Sequence, residues 1–268
     1  MRRLTSTVDG LSNSASNTGD AAPSTSSSAA SEDASATNGN DAGAGDSREA
    51  GPPAQPLPTS FTKHLLDLGT YPDARCNDGT AAGYYPVSGS ASGSAVDAKT
   101  WVVFLEGGSW CASDAECASR PANLSSSGAW ATSIAPSGIL SADISQNPHF
   151  SSFNRVDVPY CSSDVFSGDE ASPAAGKFQF RGRAVIDAVV GDLKVTYGFG
   201  APGSTVLLAG ASAGGVAVLV TADRIAAALP GVKVVALADR LSPRRRSAHG
   251  PEHLGAIPNR ARVLEWIT

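Results

Sequence analysis

One pentapeptide in the second half of the chain has the residue pattern that surrounds the nucleophilic serine of many hydrolases. Residues 210–214, GASAG, match the pattern G-x-S-x-G around Ser212. The apolar segment STVLLAG before it predicts a buried strand, and a helix is predicted over Val216–Leu229. In a nucleophile elbow, small flanking residues permit a turn tight enough to lift the serine hydroxyl above the strand ends. We therefore expect Ser212 to be the nucleophile of an acyl transfer; the alternative is a plain glycine-rich turn.

Acyl transfer also needs hydrogen-bond donors for the oxyanion that forms on the substrate. One donor is the backbone N–H after the nucleophile, here Ala213, and a second comes from the loop after an earlier strand. The run WVVFL predicts such a strand at Trp101–Leu105, and Gly107-Gly108 follow it. Because glycines carry no Cβ that could block a substrate oxygen, we expect Gly107, Gly108 and Ala213 to form the oxyanion hole. The alternative is a tight loop that binds no ligand.

A serine nucleophile needs a general base, for which histidine is the usual residue. The chain has four histidines: His64, His149, His249 and His253. We expect the first two to be structural or solvent-facing. The last two follow Ser212 with Asp239 between, in the hydrolase order Ser, Asp, His. An arginine-rich tail is a poor support for an imidazole, so we expect Asp239 to cap a strand end instead.

The elements that must position these residues alternate between strand and helix. A helical spacing of apolar residues begins near Val185, and Gly198 ends it. This alternation predicts an α/β fold with a mostly parallel sheet, flanking helices and Ser212 at the carboxyl end of a strand. The predicted strands are Trp101–Leu105, Arg155–Pro159, Val206–Ala209 and Val232–Leu237.

Composition divides the chain into three parts. Residues 1–60 are rich in Ser, Ala and Gly and predict a disordered tail, residues 61–239 predict the folded domain, and residues 240–268 are arginine-rich. A surface stalk protein led by the first part is a third, less favoured class. The net charge of −5 gives no reason to expect nucleic acid, and no run of 18 apolar residues predicts a membrane span. We expect a monomer.

The cysteines indicate an oxidising compartment. There are four, an even number, at spacings that match no common zinc site, so no metal or cofactor is expected. Two disulfides are the favoured interpretation, and four buried free thiols are the alternative. Asn123-Leu124-Ser125 is a glycosylation sequon. The N-terminus as given has no apolar run typical of a signal peptide.

Four blocks of sequence, in order, resemble the pectin acetylesterase and Notum family of carboxylesterases. They are CNDGTAAGYY, WVVFLEGGSWC, YCSSDVFSG and LLAGASAGG followed by ALAD, and they span about Cys76–Asp239. The resemblance implies an α/β-hydrolase-like fold in a secreted, disulfide-bonded protein that cleaves O-acyl esters without a cofactor. It implies the same roles for Ser212, Gly107, Gly108 and Ala213. It also implies two disulfides, Cys76–Cys161 and Cys111–Cys117.

The chain departs from this family after ALAD. Family members continue and carry their triad Asp and His there, whereas residues 240–268 show no clear strand and are expected not to belong to the fold, so the C-terminal part of the fold would be missing. Two functions stay open. One is a secreted or cell-wall serine carboxylesterase, with acetyl groups on a polysaccharide as first candidate substrate. The other is a catalytically silent member that binds an acylated glycan or lipid. Asp164 either lines the pocket mouth or orders its loop.

Overall fold

The computed structural model describes residues 57–89, 99–170 and 177–239, and the backbone of 262–266. Residues 1–56 of the predicted disordered tail lie outside the described part of the chain. The helices of this part are α1 (Asp114–Ala118), α2 (Gly182–Tyr197) and α3 (Ala213–Ala228). The strands are β1 (Phe61–Thr62), β2 (His64–Leu65), β3 (Gly83–Val87), β4 (Thr100–Leu105), β5 (Ser133–Ile134), β6 (Asn154–Val158), β7 (Thr205–Ala211), β8 (Lys233–Asp239) and β9 (Arg262–Trp266).

A seven-stranded sheet forms the centre of the fold, with the order β2-β3-β6-β4-β7-β8-β9. Strands β6, β4, β7 and β8 run parallel, and these are the four strands that the sequence predicts, with ends displaced by one or two residues. The prediction of an α/β fold with a mostly parallel sheet is confirmed. The carboxyl ends of parallel strands all lie at the same end of the sheet, so the segments that follow β4 and β7 lie side by side.

Antiparallel strands at both edges of the sheet were not predicted. Strand β3 pairs antiparallel with β6, although its sequence GYYPV contains a proline and follows an Asp-Gly turn. The expectation of no strand within 240–268 is wrong at Arg262–Trp266, which pairs antiparallel with β8. Five residues among arginines and prolines give too short a pattern to indicate a strand. The pairing supplies hydrogen-bond partners to an edge of β8 that would otherwise lack them.

Helices α2 and α3 cover one face of the sheet. Gly198 ends α2 in the left-handed conformation at φ 69°, as its position predicts. Helix α3 begins at Ala213 rather than at the predicted Val216, because the small residues of its first turn give no apolar periodicity. Between helices and sheet lies a closely packed apolar layer that includes Val103, Leu105, Val158, Ile186, Val189, Val206, Leu208 and Ile225.

The opposite face of the sheet is covered by an irregular segment with three short 3-10 helices, Ala122–Leu124, Ser127–Ala129 and Gly138–Leu140. The fully buried Arg155 joins this segment to the sheet, because its guanidinium donates to Leu140 O and to Ser88 O, each at 3.4 Å. A cavity of about 450 Å³ remains between Ile139 and the sheet residues Phe104 and Leu237.

Both disulfides implied by the family resemblance are present. Cys76 and Cys161 have Cα atoms 4.9 Å apart, and Cys111 and Cys117 have Cα atoms 5.1 Å apart. None of the four cysteines is free, so the alternative of four thiols is wrong. The longer bridge ties the turn before β3 to the loop after β6. The shorter one closes the loop that leads from Gly108 into α1.

No helix within the described residues has the length and apolarity needed to cross a membrane. The same residues contain no cluster of His, Cys, Asp and Glu side chains that could bind a metal ion.

Disulfide removal should destabilise the protein more for the bridge that closes the longer loop, with a logarithmic dependence on loop length. The bridges span 85 and 6 residues in sequence. Chain-entropy arithmetic gives about 4.5 kcal/mol for Cys76→Ala/Cys161→Ala and about 2 kcal/mol for Cys111→Ala/Cys117→Ala. Urea unfolding followed by circular dichroism measures both losses. An equal or larger loss for the shorter bridge would contradict the entropic explanation.

Gly214 should not tolerate a side chain. A Cβ at this position would overlap Leu105 O and lie 2.7 Å from Glu106 O, both backbone atoms that cannot yield. We expect Gly214→Ala to lower the free energy of unfolding by about 3 kcal/mol despite the better helix propensity of alanine.

The matched control is Gly191→Ala in α2, where the nearest atom to an added Cβ is Tyr71 Oη at 3.3 Å. A phenol oxygen at the end of a side chain can move slightly, so this variant should be neutral or stabilised by up to about 1 kcal/mol. Thermal and urea unfolding compare the stability of the two variants. Similar losses of stability would show that the contact of Gly214 with Leu105 O does not exclude a side chain at position 214.

Candidate active site

Ser212 occupies a sharp turn between strand and helix. It follows Ala211 at the carboxyl end of β7 and precedes Ala213, the first residue of α3. Its backbone has φ 56° and ψ −118°, a conformation that is strained for a residue with a side chain. Its N–H donates to Asp239 O at 3.1 Å, and its side chain is exposed. Strained backbone of this kind commonly positions a functional group.

The glycines at either end of the pentapeptide are required by close backbone packing. A Cβ on Gly210 would overlap Gly214 O, so strand and helix meet at a distance that requires a glycine at position 210. Gly214 in turn lies against Leu105 O at the end of β4. The pentapeptide is therefore packed against itself and against the neighbouring strand.

The loop after β4 lies directly against this turn. A Cβ on Gly107 would be 2.5 Å from Ala211 O and 3.0 Å from Ser212 Cβ. A Cβ on Gly108 would be 2.8 Å from Tyr160 Cδ1 and 2.9 Å from Leu124 Cδ2. The structure thus explains both glycines by contacts within the protein, rather than by the clearance for a substrate oxygen that the sequence suggested. It brings Gly107 beside Ser212; the oxyanion-binding role stays a prediction.

An open cavity of about 420 Å³ reaches Val216, whose backbone N–H donates to Ser212 O at 3.0 Å. Val216, one turn into α3 from Ser212, lines it together with Trp110, Val165 and Phe180. Trp110 is 62% exposed, which is unusual for so large an apolar side chain. A mostly apolar cavity of this size falls in the range of small-molecule sites.

Asp164 orders one wall of that cavity. Its carboxylate accepts hydrogen bonds from Ser162 Oγ at 2.6 Å, Phe166 N at 3.0 Å and Gly182 N at 2.8 Å. Gly182 is the first residue of α2, so the carboxylate also caps that helix. Burial raises the pKa of Asp164, and the hydrogen bonds act in the opposite direction. The sequence left two roles open, and Asp164 both orders its loop and borders the cavity.

The loop that Asp164 organises is strained. Ser163, Val165 and Phe166 have φ values of 55°, 53° and 57°. Positive φ is costly for residues with side chains, above all for β-branched ones. Tyr160 helps to maintain the loop, because its hydroxyl accepts a hydrogen bond from Val165 N at 2.7 Å. The apolar wall of the cavity is therefore presented by backbone that the surrounding structure constrains.

Sequence analysis missed a pair of carboxyl groups at the base of the loop after β4 that contains Gly107 and Gly108, the glycine loop. Glu106 directly precedes Gly107, and its side chain is in hydrogen-bond contact with Asp157 in β6. Burial raises the pKa of both groups, and the charge of Glu106 raises the pKa of Asp157 further. The signal in the sequence was an acid within the apolar strand RVDV and another at the end of VVFLE.

Of the two histidines within the described part, one is paired with a carboxylate and the other faces solvent. His64 Nε2 lies 2.9 Å from Asp192 Oδ2, which also accepts the Tyr84 hydroxyl at 2.5 Å. His149 is exposed, with its ring 6.1 Å from that of Phe150. Both match the structural and solvent-facing roles expected of them. His249 and His253 lie outside the described residues.

Asp239 ends β8, in register with Ala211. Its backbone carbonyl is the acceptor for Ser212 N–H. The residue also borders the cavity of about 450 Å³ on the sheet face opposite the helices. This position agrees with the expected place of Asp239 at a strand end.

Comparison with known proteins places this arrangement in a family. The model of the pectinacetylesterase family matches residues 55–240. Palmitoleoyl-protein carboxylesterase NOTUM of Mus musculus is 40% identical over 195 residues, which are 69% of this chain and 36% of the relative. Pectin acetylesterase 5 of Arabidopsis thaliana is 39% identical over 160 residues, which are 59% of this chain and 36% of the relative.

A solved structure shows the same fold. The Wnt deacylase Notum from Drosophila superposes with a TM-score of 0.58 at 32% identity, over 67% of this chain and 52% of that one. The chain spans about a third of the length of the curated relatives it matches. The match to the family model covers most of the chain, including the strand, the turn and the glycine loop described above. The chain therefore belongs to the pectinacetylesterase family, whose named members here are carboxylesterases.

Proposed function

We propose that the chain carries the nucleophile and the oxyanion-binding loop of a serine carboxylesterase. The observation that supports this most is the position of Ser212, which is exposed on strained backbone at the end of a central strand, with the Gly107 loop against its Cβ. A glycine-rich turn without catalytic function would not need a serine at positive φ. Membership of the pectinacetylesterase family adds to the argument.

The proposed reaction has two halves. Ser212 Oγ attacks the carbonyl carbon of an O-acyl ester while its proton passes to a base. The N–H groups of Gly107, Gly108 and Ala213 stabilise the oxyanion. The alcohol then leaves with a proton, and water releases the acid from the acyl-enzyme by the same path. No cofactor takes part in either half.

Within the described residues, no hydrogen bond joins the Ser212 hydroxyl to a general base. A serine hydroxyl is protonated at neutral pH and is a weak nucleophile without a base. His64 is engaged with Asp192, and His149 is exposed beside Phe150, so we assign the base to neither. The second candidate function is that of a member that binds an acylated glycan or lipid without turnover.

The cavity of about 420 Å³, which reaches Val216 in the first part of α3, supports an O-acyl ester as substrate. Its apolar lining by Trp110, Val165, Phe180 and Val216 suits an acyl chain or the apolar face of a sugar. The named relatives act on palmitoleoyl-protein and on pectin acetyl esters, so they span long and short acyl groups. We take acetyl on a polysaccharide as the first candidate. Two disulfides support a secreted or cell-wall location, and we infer a monomer.

Replacement of the nucleophile should abolish ester hydrolysis. Ser212→Ala removes the attacking oxygen, and we expect hydrolysis of p-nitrophenyl acetate to fall at least about 1000-fold, to the background rate. Phosphonylation by a fluorophosphonate probe, located by mass spectrometry, should occur on Ser212 and disappear in the variant.

The control is Ser133→Ala, an exposed serine in β5, which should keep full rate and labelling. Turnover that survives in Ser212→Ala would refute the assignment of the nucleophile. Turnover lost on His249→Ala or His253→Ala would assign the base to residues 240–268. A wild-type chain that binds acetylated polysaccharide but neither hydrolyses ester nor takes up the probe would favour the silent function.

A further inference from the structure

The contact between Glu106 and Asp157 joins the base of the glycine loop to the neighbouring strand. Asp157 lies in β6 opposite Phe104 of β4, and Glu106 follows β4 by one residue. Both are therefore on the face of the sheet away from α2 and α3. Asp157 is 2% exposed, and its Oδ1 accepts no hydrogen bond from the described residues. The other oxygen faces the Glu106 carboxyl group.

Glu106 also connects the glycine loop to the segment after β6. Its backbone N–H donates to Val158 O at 3.1 Å, and its carboxylate accepts the backbone N–H of Tyr160. The ring of Tyr160 is the group that a Cβ added to Gly108 would approach most closely. The backbone and the carboxylate of Glu106 together thus join three points around the two glycines: the end of β4, the end of β6 and the residue whose ring lies against Gly108.

Two carboxyl groups in contact away from water cannot both be ionised, because like charges repel strongly in a poorly solvated site. A single proton between them turns the repulsion into a charge-assisted hydrogen bond. Asp157 is the more deeply buried group and is the donor, whereas Glu106 keeps its charge for the Tyr160 N–H.

The surrounding groups give this pair little help from positive charge. From β3, Tyr85 faces it, and burial is the main cause that raises the pKa of this phenol to about 12. From β6, Arg155 directs its guanidinium to Leu140 O and Ser88 O. From the segment after β6, the pKa of Tyr160 is raised by burial, and Arg120 lies over its ring at 5.8 Å. The proton is therefore the main partner of the Glu106 charge on this side.

We propose that Glu106 and Asp157 are positioning residues, joined by one shared proton, that fix the loop of Gly107 and Gly108 in its oxyanion-binding geometry. The inference rests on the proposed function for what the loop binds. The shared proton and the fixed loop are properties of the folded chain and can be measured without substrate.

The first measurement is the pH dependence of stability. The folded chain keeps a proton that the unfolded chain releases above a pH of about 4, so the folded state binds more protons and loses stability as pH rises. Asp157→Asn donates a hydrogen bond without titrating. Above about pH 4 we expect the folding equilibrium constant of the wild type to fall with rising pH relative to that of Asp157→Asn, by up to about tenfold per pH unit, for as long as the folded pair keeps its proton.

The second measurement is amide hydrogen exchange at Gly107, Gly108 and Tyr160. Glu106→Ala removes the acceptor for both donors, and exchange at these amides should speed up about tenfold or more. Asp157→Asn, which keeps the donor, should leave exchange within about twofold of the wild type at pH 6. The matched control is Asp223→Asn, an exposed acid on α3, which should change neither exchange nor the pH slope.

The outcomes separate this inference from the proposed function. Equal pH slopes for the wild type and Asp157→Asn would overturn the shared proton. Unchanged exchange in a folded Glu106→Ala would overturn the positioning role. If slopes and exchange rates behave as expected while Ser212 takes up no fluorophosphonate, the positioning pair stands and the esterase proposal fails. If Ser212 reacts, labelling by the probe should slow in Glu106→Ala and stay within about twofold in Asp157→Asn.

Discussion

The parallel pairing of β4 with β7 is the constraint on which the candidate site depends. It sets Leu105 opposite Gly210, so the chain leaves both strands at the same level of the sheet. The glycine loop and the serine turn are then forced into contact, and no other element needs to bring them together. Gly214 closes the arrangement, because it lets α3 begin against the carbonyl of Leu105. A change of register by one residue would separate all of these groups.

The sequence was sufficient for the parts of the fold that local patterns encode. Apolar runs indicated the four parallel strands, and the spacing around Val185 with Gly198 at its end indicated α2. Ser212 could be placed at a strand end because the pattern G-x-S-x-G has meaning only between a strand and a helix. The disulfide pairs came from the family resemblance, since the number and spacing of cysteines left their pairing open.

The parts that could not be predicted depend on contacts between distant segments. Strand β3 contains Pro86, and its pairing with β6 cannot be inferred from alternation of residue types. The partner of Glu106 lies 51 positions away in sequence, and only the register of β6 on β4 brings Asp157 near it. The purpose of Gly107 was also hidden, because the atom it avoids, Ala211 O, belongs to another strand.

The packing of the glycines separates two kinds of position around the site. Gly107, Gly210 and Gly214 each face a backbone atom that leaves no room for a side chain, and Gly108 faces the side chains of Tyr160 and Leu124. Trp110, by contrast, is mostly exposed at the cavity mouth, and the nearby Cys111–Cys117 bridge holds the backbone that follows it. Side chains at the cavity mouth can therefore be exchanged without disturbing these contacts, whereas a side chain at Gly107, Gly210 or Gly214 would displace the turn that presents the serine.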